Sequence, residues 1–126
     1  MNTLNGTFEV TMQPQQDDEF SVGRMTIDKI YSGELDGVGK GQMLSHRTQV
    51  QGSAGYVAIE TFTGKVAGKS GSFVLMHTGT MNKGVPSLVI DIVPDSATDE
   101  LSGMAGNMSI DIKDGKHFYT LNFRFQ

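Results

Sequence analysis

The sequence predicts an all-β protein, an eight-stranded antiparallel barrel forming a single domain over residues 1–126. Three observations lead there. Apolar residues recur with a period of two in short segments, the pattern of half-buried antiparallel strands. Glycine supplies 16 of the 126 residues against 3 prolines, which provides tight turns without a collagen-like repeat. No long segment has helical spacing, and eight strands with one apolar face each remove their exposed edges most economically by closing on themselves.

The strands are expected, in order, from Gly6 to Met12, Arg24 to Gly33, Val38 to Gln49, Tyr56 to Ala67, Ser72 to Met81, Val85 to Val93, Met104 to Lys113 and Lys116 to Phe125. The polar, acidic stretch Pro14 to Ser21 reads as an exposed loop and a candidate lid. The Ser, Thr and acidic residues after Pro94, from Asp95 to Leu101, are compatible with one helical turn before the chain re-enters the sheet.

Turns decide which side chains share a face, because a one-residue slip in register inverts a strand. A turn within Gly68-Lys69-Ser70-Gly71 sets Phe62 opposite His77, Gly64 opposite Leu75 and Val66 opposite Phe73, a set apolar except for His77. The Asp114-Gly115 pair is a strong two-residue turn, since both central positions of the favoured hairpin turn need positive φ. It places Ile112 opposite His117, Ile110 opposite Tyr119 and Met108 opposite Leu121. A two-residue turn at Lys83-Gly84 puts Ile90 opposite His77 and keeps Asp91 out of the core, where an unpaired carboxylate is costly. The facing of the second and third strands stays open: Met25, Ile27 and Tyr31 share a face with Lys29, whereas Ile30 shares one with Asp28.

Composition narrows the function classes. Ten basic against 14 acidic residues give a net charge of −4 with the basic residues scattered, so nucleic acid is not an expected partner. Zero cysteines exclude disulfides, thiolate metal sites and cysteine nucleophiles. The first residues lack the basic-then-apolar order of a signal peptide, and no apolar run nears the roughly 18 residues of a membrane span. The expectation is a cytoplasmic protein with no membrane partner.

The runs Tyr31-Ser32-Gly33-Glu34-Leu35-Asp36-Gly37-Val38-Gly39 and Gly71-Ser72-Phe73-Val74-Leu75-Met76-His77-Thr78-Gly79-Thr80 are followed by Pro94 and by Glu100-Leu101-Ser102-Gly103-Met104-Ala105-Gly106. Taken together, they resemble an uncharacterised bacterial domain family whose small barrels are similar to allene oxide cyclase. The resemblance covers nearly the whole chain. It implies an eight-stranded barrel with a central cavity and an affinity for small apolar ligands, but no assigned reaction and no cofactor.

The candidate catalytic residues are Glu60 and His77, which lie diagonally on one face of adjacent strands, within reach of long side chains. A carboxylate beside an imidazole on an apolar face is how a general acid or base is tuned. The alternatives are a buried polar pair that satisfies itself, or a Glu60 facing solvent while Val57 and Ile59 take the core. Tyr56, Phe62, Phe73, Tyr119 and Phe123 share the expected inward face with Met108 and Leu121 and are candidate ligand contacts, with His117 near a rim; a solidly filled core is the alternative. His46, His77 and His117 sit on three strands without short ligand spacing, so no metal site is expected. Gly37-Val38-Gly39-Lys40-Gly41 leads into a strand rather than a helix, which argues for turn or bulge geometry over a phosphate loop, and Gly103 and Gly106 for a bulge or a close backbone approach.

Three functions fit these residues. A binding module would hold a small apolar molecule in the lumen. An isomerase or cyclase would act on a reactive apolar substrate with Glu60 as the charged group. A structural homo-oligomer, dimer or trimer, would use outward residues such as Val74, Met76, Val89, Val93 and Phe118.

Overall fold

The computed structural model describes residues 2–15 and 22–126. Eight strands, β1 (Asn2–Gln15), β2 (Gly23–Gly33), β3 (Leu35–Arg47), β4 (Ala54–Val66), β5 (Lys69–Asn82), β6 (Val85–Ile92), β7 (Met104–Lys113) and β8 (Lys116–Phe125), form one closed antiparallel barrel in sequence order. A short 3₁₀ turn, Asp99–Leu101, lies between β6 and β7, within the segment where a helical turn is expected. Pro14 and Gln15 extend β1 instead of opening a loop, and the rest of the expected loop and lid, residues 16–21, lies outside the described residues. Proline is tolerated there because β8 pairs with β1 only from Asn2 to Phe8, leaving the far half of β1 bonded to β2 alone.

The barrel is strongly sheared. Tracing partners from Leu4 through Leu121, Met108, Ile90, His77, Ala58, Met43 and Met25 returns to β1 at Pro14, a slip of ten residues in one circuit. Such a shear on eight strands requires strands tilted by about 35–45° and leaves an interior that side chains can fill.

Three hairpins turn on two residues that both have positive φ: Ala67-Gly68, Lys83-Gly84 and Asp114-Gly115. The last two give the expected pairings. The first corrects one: β4 and β5 meet with Val66 opposite Lys69, so Phe62 faces Phe73 and His77 faces Ala58, four residues from the expected register. Alanine at φ 49° gives no sequence signal for a turn, whereas Gly68 to Gly71 does. The shift is even, so every side chain keeps its predicted face. Val57 and Ile59 are accordingly exposed and Glu60 is buried.

On β2 the face bearing Ile27, Lys29 and Tyr31 points inward, and Asp28 and Ile30 point out. The core is continuous from Leu4, Phe8 and Tyr31 through Phe62, Phe73 and Leu75 to Tyr119, Leu121 and Phe123. Leu101, carried by the 3₁₀ turn, plugs the end at which β4 turns into β5, where Gly71 leaves it room. Thr98 N bonds to Ser72 O at 2.9 Å and Ser96 Oγ accepts from Val74 N at 3.0 Å, so this segment covers the β5 edge beyond the end of β6. The opposite end, where β3 turns into β4 and β5 into β6, carries no such plug among the described residues.

Candidate functional site

Two features occupy the inner face: a buried ionic cluster at mid-height and an open cup above it. The cluster centres on Glu60, which has no exposed surface. Its Oε1 accepts from Lys29 Nζ at 2.9 Å and from His77 Nε2 at 3.0 Å, while its Oε2 accepts a short bond from the Tyr31 hydroxyl. Lys29 is 6% exposed, and its ammonium also lies 4.7 Å from the centre of the Phe8 ring, a cation–π contact.

The sequence between the partners makes this contact feasible. Lys29 is on β2 and Glu60 on β4, so β3 runs between them. The inward positions of β3 at mid-height are Gly39 and Gly41, and a Cβ on Gly39 would come within 2.2 Å of Glu60 Oε2 and 3.0 Å of the Tyr31 ring. These glycines therefore lie within a strand and serve close approach, where the sequence pointed to a turn or bulge. They clear the floor over which Lys29 and Glu60 meet.

Burial by itself pushes the Glu60 carboxyl up, but the His77 hydrogen bond, the Lys29 charge and the Tyr31 hydroxyl outweigh it and lower its pKa from 4.5 to about 2. Burial, reinforced by the Glu60 charge, holds the Tyr31 hydroxyl well above its ordinary range. At neutral pH the cluster thus fixes a carboxylate inside the barrel, held by Lys29, His77 and Tyr31. Every buried side-chain polar atom among the described residues has a partner, so the network is satisfied without further groups.

The cup lies at the end opposite Leu101 and has a volume of about 390 Å³. Its inward lining comes from Met12 on β1, Met25 on β2, Met43 on β3, Tyr56 on β4, Met81 on β5 and Leu88 on β6, with His46 and Arg47 at the rim. Tyr56 lies over Gly79, its partner on β5, where a Cβ would come within 2.3 Å of the ring.

The candidate residues divide between these features. Glu60 and His77 come together, diagonal to one another as expected, although through the Ala58 pair rather than the Phe62 pair. Tyr56 lines the cup. Phe62 and Phe73 stack at 5.0 Å without exposed surface, and Phe123 is buried with them, so these three are filled core where the sequence left open a ligand-lined space. Tyr119 is likewise core: its hydroxyl donates to Ser32 O and accepts from Leu35 N at 2.9 Å. His117 is half-buried at a rim with its ring 5.1 Å from Phe8. Among the described residues no group of three or more His, Cys, Asp or Glu is placed to hold a metal ion.

Sequence reasoning missed Lys29 and Tyr31 as partners of Glu60, and it missed the methionines of the mouth. Its available signal was the ambiguity of β2 itself, where either alternation turns at least one charge inward, together with a lone inward carboxylate on β4.

Comparison with known proteins gives a family and a fold. The profile of a protein of unknown function, DUF3224, matches residues 4–123. A solved protein of unknown function from the DUF3224 family of Shewanella oneidensis MR-1 is similar at 44% identity and a TM-score of 0.94, over 100% of this chain and 98% of that one. No curated protein matches. The bacterial family and the barrel are thereby shown, whereas likeness to allene oxide cyclase is not among these findings. No helix among the described residues is long and apolar enough to cross a membrane.

Proposed function

We propose a function from the site itself, because the chain belongs to the DUF3224 family of proteins of unknown function: it is a binding protein that holds one small, mostly apolar molecule in the mouth of its barrel. The observation that carries this reading is the cup, about 390 Å³ of space lined by methionine, leucine and tyrosine at the end of a filled barrel opposite Leu101. Its size falls within the roughly 300–1,000 Å³ of small-molecule sites, and methionines adapt to ligands of varied shape. Tyr56 and the rim residues His46 and Arg47 supply the polar contacts. The ionic cluster beneath is read as a rigid floor: a carboxylate with a pKa of about 2 and three donors on it retains its charge at neutral pH rather than exchanging protons.

Uptake of a neutral, environment-sensitive dye such as Nile red tests this reading. The parent protein should bind it with a blue-shifted emission, and Ala54→Trp, at a half-buried lining position, should fill the cup and remove binding with the barrel intact. A parent protein that takes up no dye overturns the proposal. An isomerase or cyclase using Glu60 is the second reading, favoured by the Glu60–His77 contact; it requires that Glu60→Gln abolish turnover of an apolar substrate.

A separate observation favours self-association. The outer face of β3 to β5 carries exposed Leu44, Val57, Ile59 and Met76 around a hollow of about 450 Å³, with exposed Val89 of β6 beside it. Register places Leu44 opposite Val57, Ile59 opposite Met76 and Thr78 opposite Val89, so the apolar residues form one patch. A patch of this kind supports a dimer or trimer of the chain.

A further inference from the structure

The mouth of the barrel gathers thioethers in a way that apolar lining alone does not require. Met25 and Met43 are direct cross-strand partners on the inner face, and Met12 is diagonal to Met25, across the Met12–Ile27 pair. Direct partners on one face hold their Cβ atoms about 4.5–5.5 Å apart, and diagonal ones somewhat farther. Three unbranched side chains of that reach can bring their sulfurs to a common point. Ala58, the partner of Met43 on β4, keeps the adjoining wall low.

We propose that Met12, Met25 and Met43 form a binding site for a soft monovalent cation, copper(I) or silver(I). The donor set selects the ion. Thioethers are uncharged, soft ligands that favour copper(I). Among the described residues the cup lining contains no aspartate or glutamate to suit calcium or magnesium, and the chain has no cysteine to compete for a soft ion. The site is partly enclosed rather than sealed, which gives the ion a path from solvent: Met12 is 49% exposed while Met25 and Met43 are half-buried.

The test is titration of the whole protein with silver(I), read by native mass spectrometry and by the NMR signals of ¹³C-methyl-labelled methionines. One silver ion should bind per chain and shift the methyls of Met12, Met25 and Met43. Met76, similarly exposed but on the outer wall, and the buried Met104 and Met108 serve as internal controls and should not move. Met25→Leu and Met43→Leu should each weaken silver binding roughly tenfold or more, a loss already typical of disturbing a metal ligand's surroundings. Silver binding is measured without dye, and Nile red uptake on the parent protein without silver. The metal site and the apolar-ligand reading can therefore fail separately.

Equal shifts at Met76, capture by the imidazole of His46 with the three methyls unmoved, or no binding at all would each overturn the proposal. Unchanged silver affinity in the correctly folded leucine variants would do the same.

Discussion

Lys29 and Glu60 meet from strands that are not neighbours: Lys29 Nζ on β2 lies 2.9 Å from Glu60 Oε1 on β4, with the glycines of β3 passing between them. Neither residue is buried without a counter-charge, and each accounts for the other's place inside the barrel. Removing one partner of such a pair typically costs about 3–5 kcal/mol, because the remaining charge stays out of water. Lys29→Met is expected to destabilise the barrel by that amount in urea unfolding, and Lys29→Met/Glu60→Gln to recover part of the loss. Additive single effects would show that the two charges are not coupled.

Acid should loosen the same cluster. The folded-state pKa of Glu60 is lowered, so its contribution is fully present above the ordinary value of 4.5 and is lost as pH falls toward about 2. At about 1.4 kcal/mol per pH unit, that shift corresponds to about 3 kcal/mol between pH 6 and pH 2. Urea midpoints measured across this range should fall steeply in the parent and less steeply in Glu60→Gln. Equal slopes in the two proteins would remove Glu60 as the source.

Space over β3 is a separate requirement. A Cβ at Gly39 would meet Glu60 Oε2 at 2.2 Å, while one at Gly23 would make only ordinary contact with Ser45 Oγ at 3.5 Å. Gly39→Ala should therefore cost about 1–3 kcal/mol by overpacking. Gly23→Ala should leave the unfolding midpoint nearly unchanged. Equal effects would contradict the close approach assigned to Gly39.

Core and cup residues should respond differently to truncation. Phe73 has no exposed surface and stacks on Phe62, so Phe73→Ala should cost about 3–5 kcal/mol by opening a cavity. Tyr56→Ala, at a half-buried cup position, should cost less stability and weaken Nile red binding more. Strong dye binding retained by folded Tyr56→Ala would move the ligand site elsewhere.

The outer patch predicts a concentration-dependent assembly. Light scattering behind a sizing column should show a dimer or trimer, and Met76→Glu, in the middle of the patch, should yield monomers with an unchanged circular dichroism spectrum. A parent protein that is monomeric at high concentration would be incompatible with self-association through this face.

The order of strands, the Lys83-Gly84 and Asp114-Gly115 hairpins and the faces of the side chains on β4 to β8 were legible in the sequence. They depend on local alternation and on turn residues that need positive φ, both carried within a few positions of chain. Even the β4–β5 register, wrong by four residues because Ala67 enters the turn, left Glu60 and His77 inside and diagonal, since an even slip preserves faces. What only the tertiary structure decided was the facing of β2 and β3 and the use of the barrel's two ends. Alternation on β2 turns a charge inward whichever face is chosen. Lys29 is the one admitted because Glu60 arrives two strands away over a glycine floor, a contact between distant parts of the chain. The cup is likewise set by the ten-residue shear, which carries methionines from four strands to one mouth while Leu101 plugs the other end.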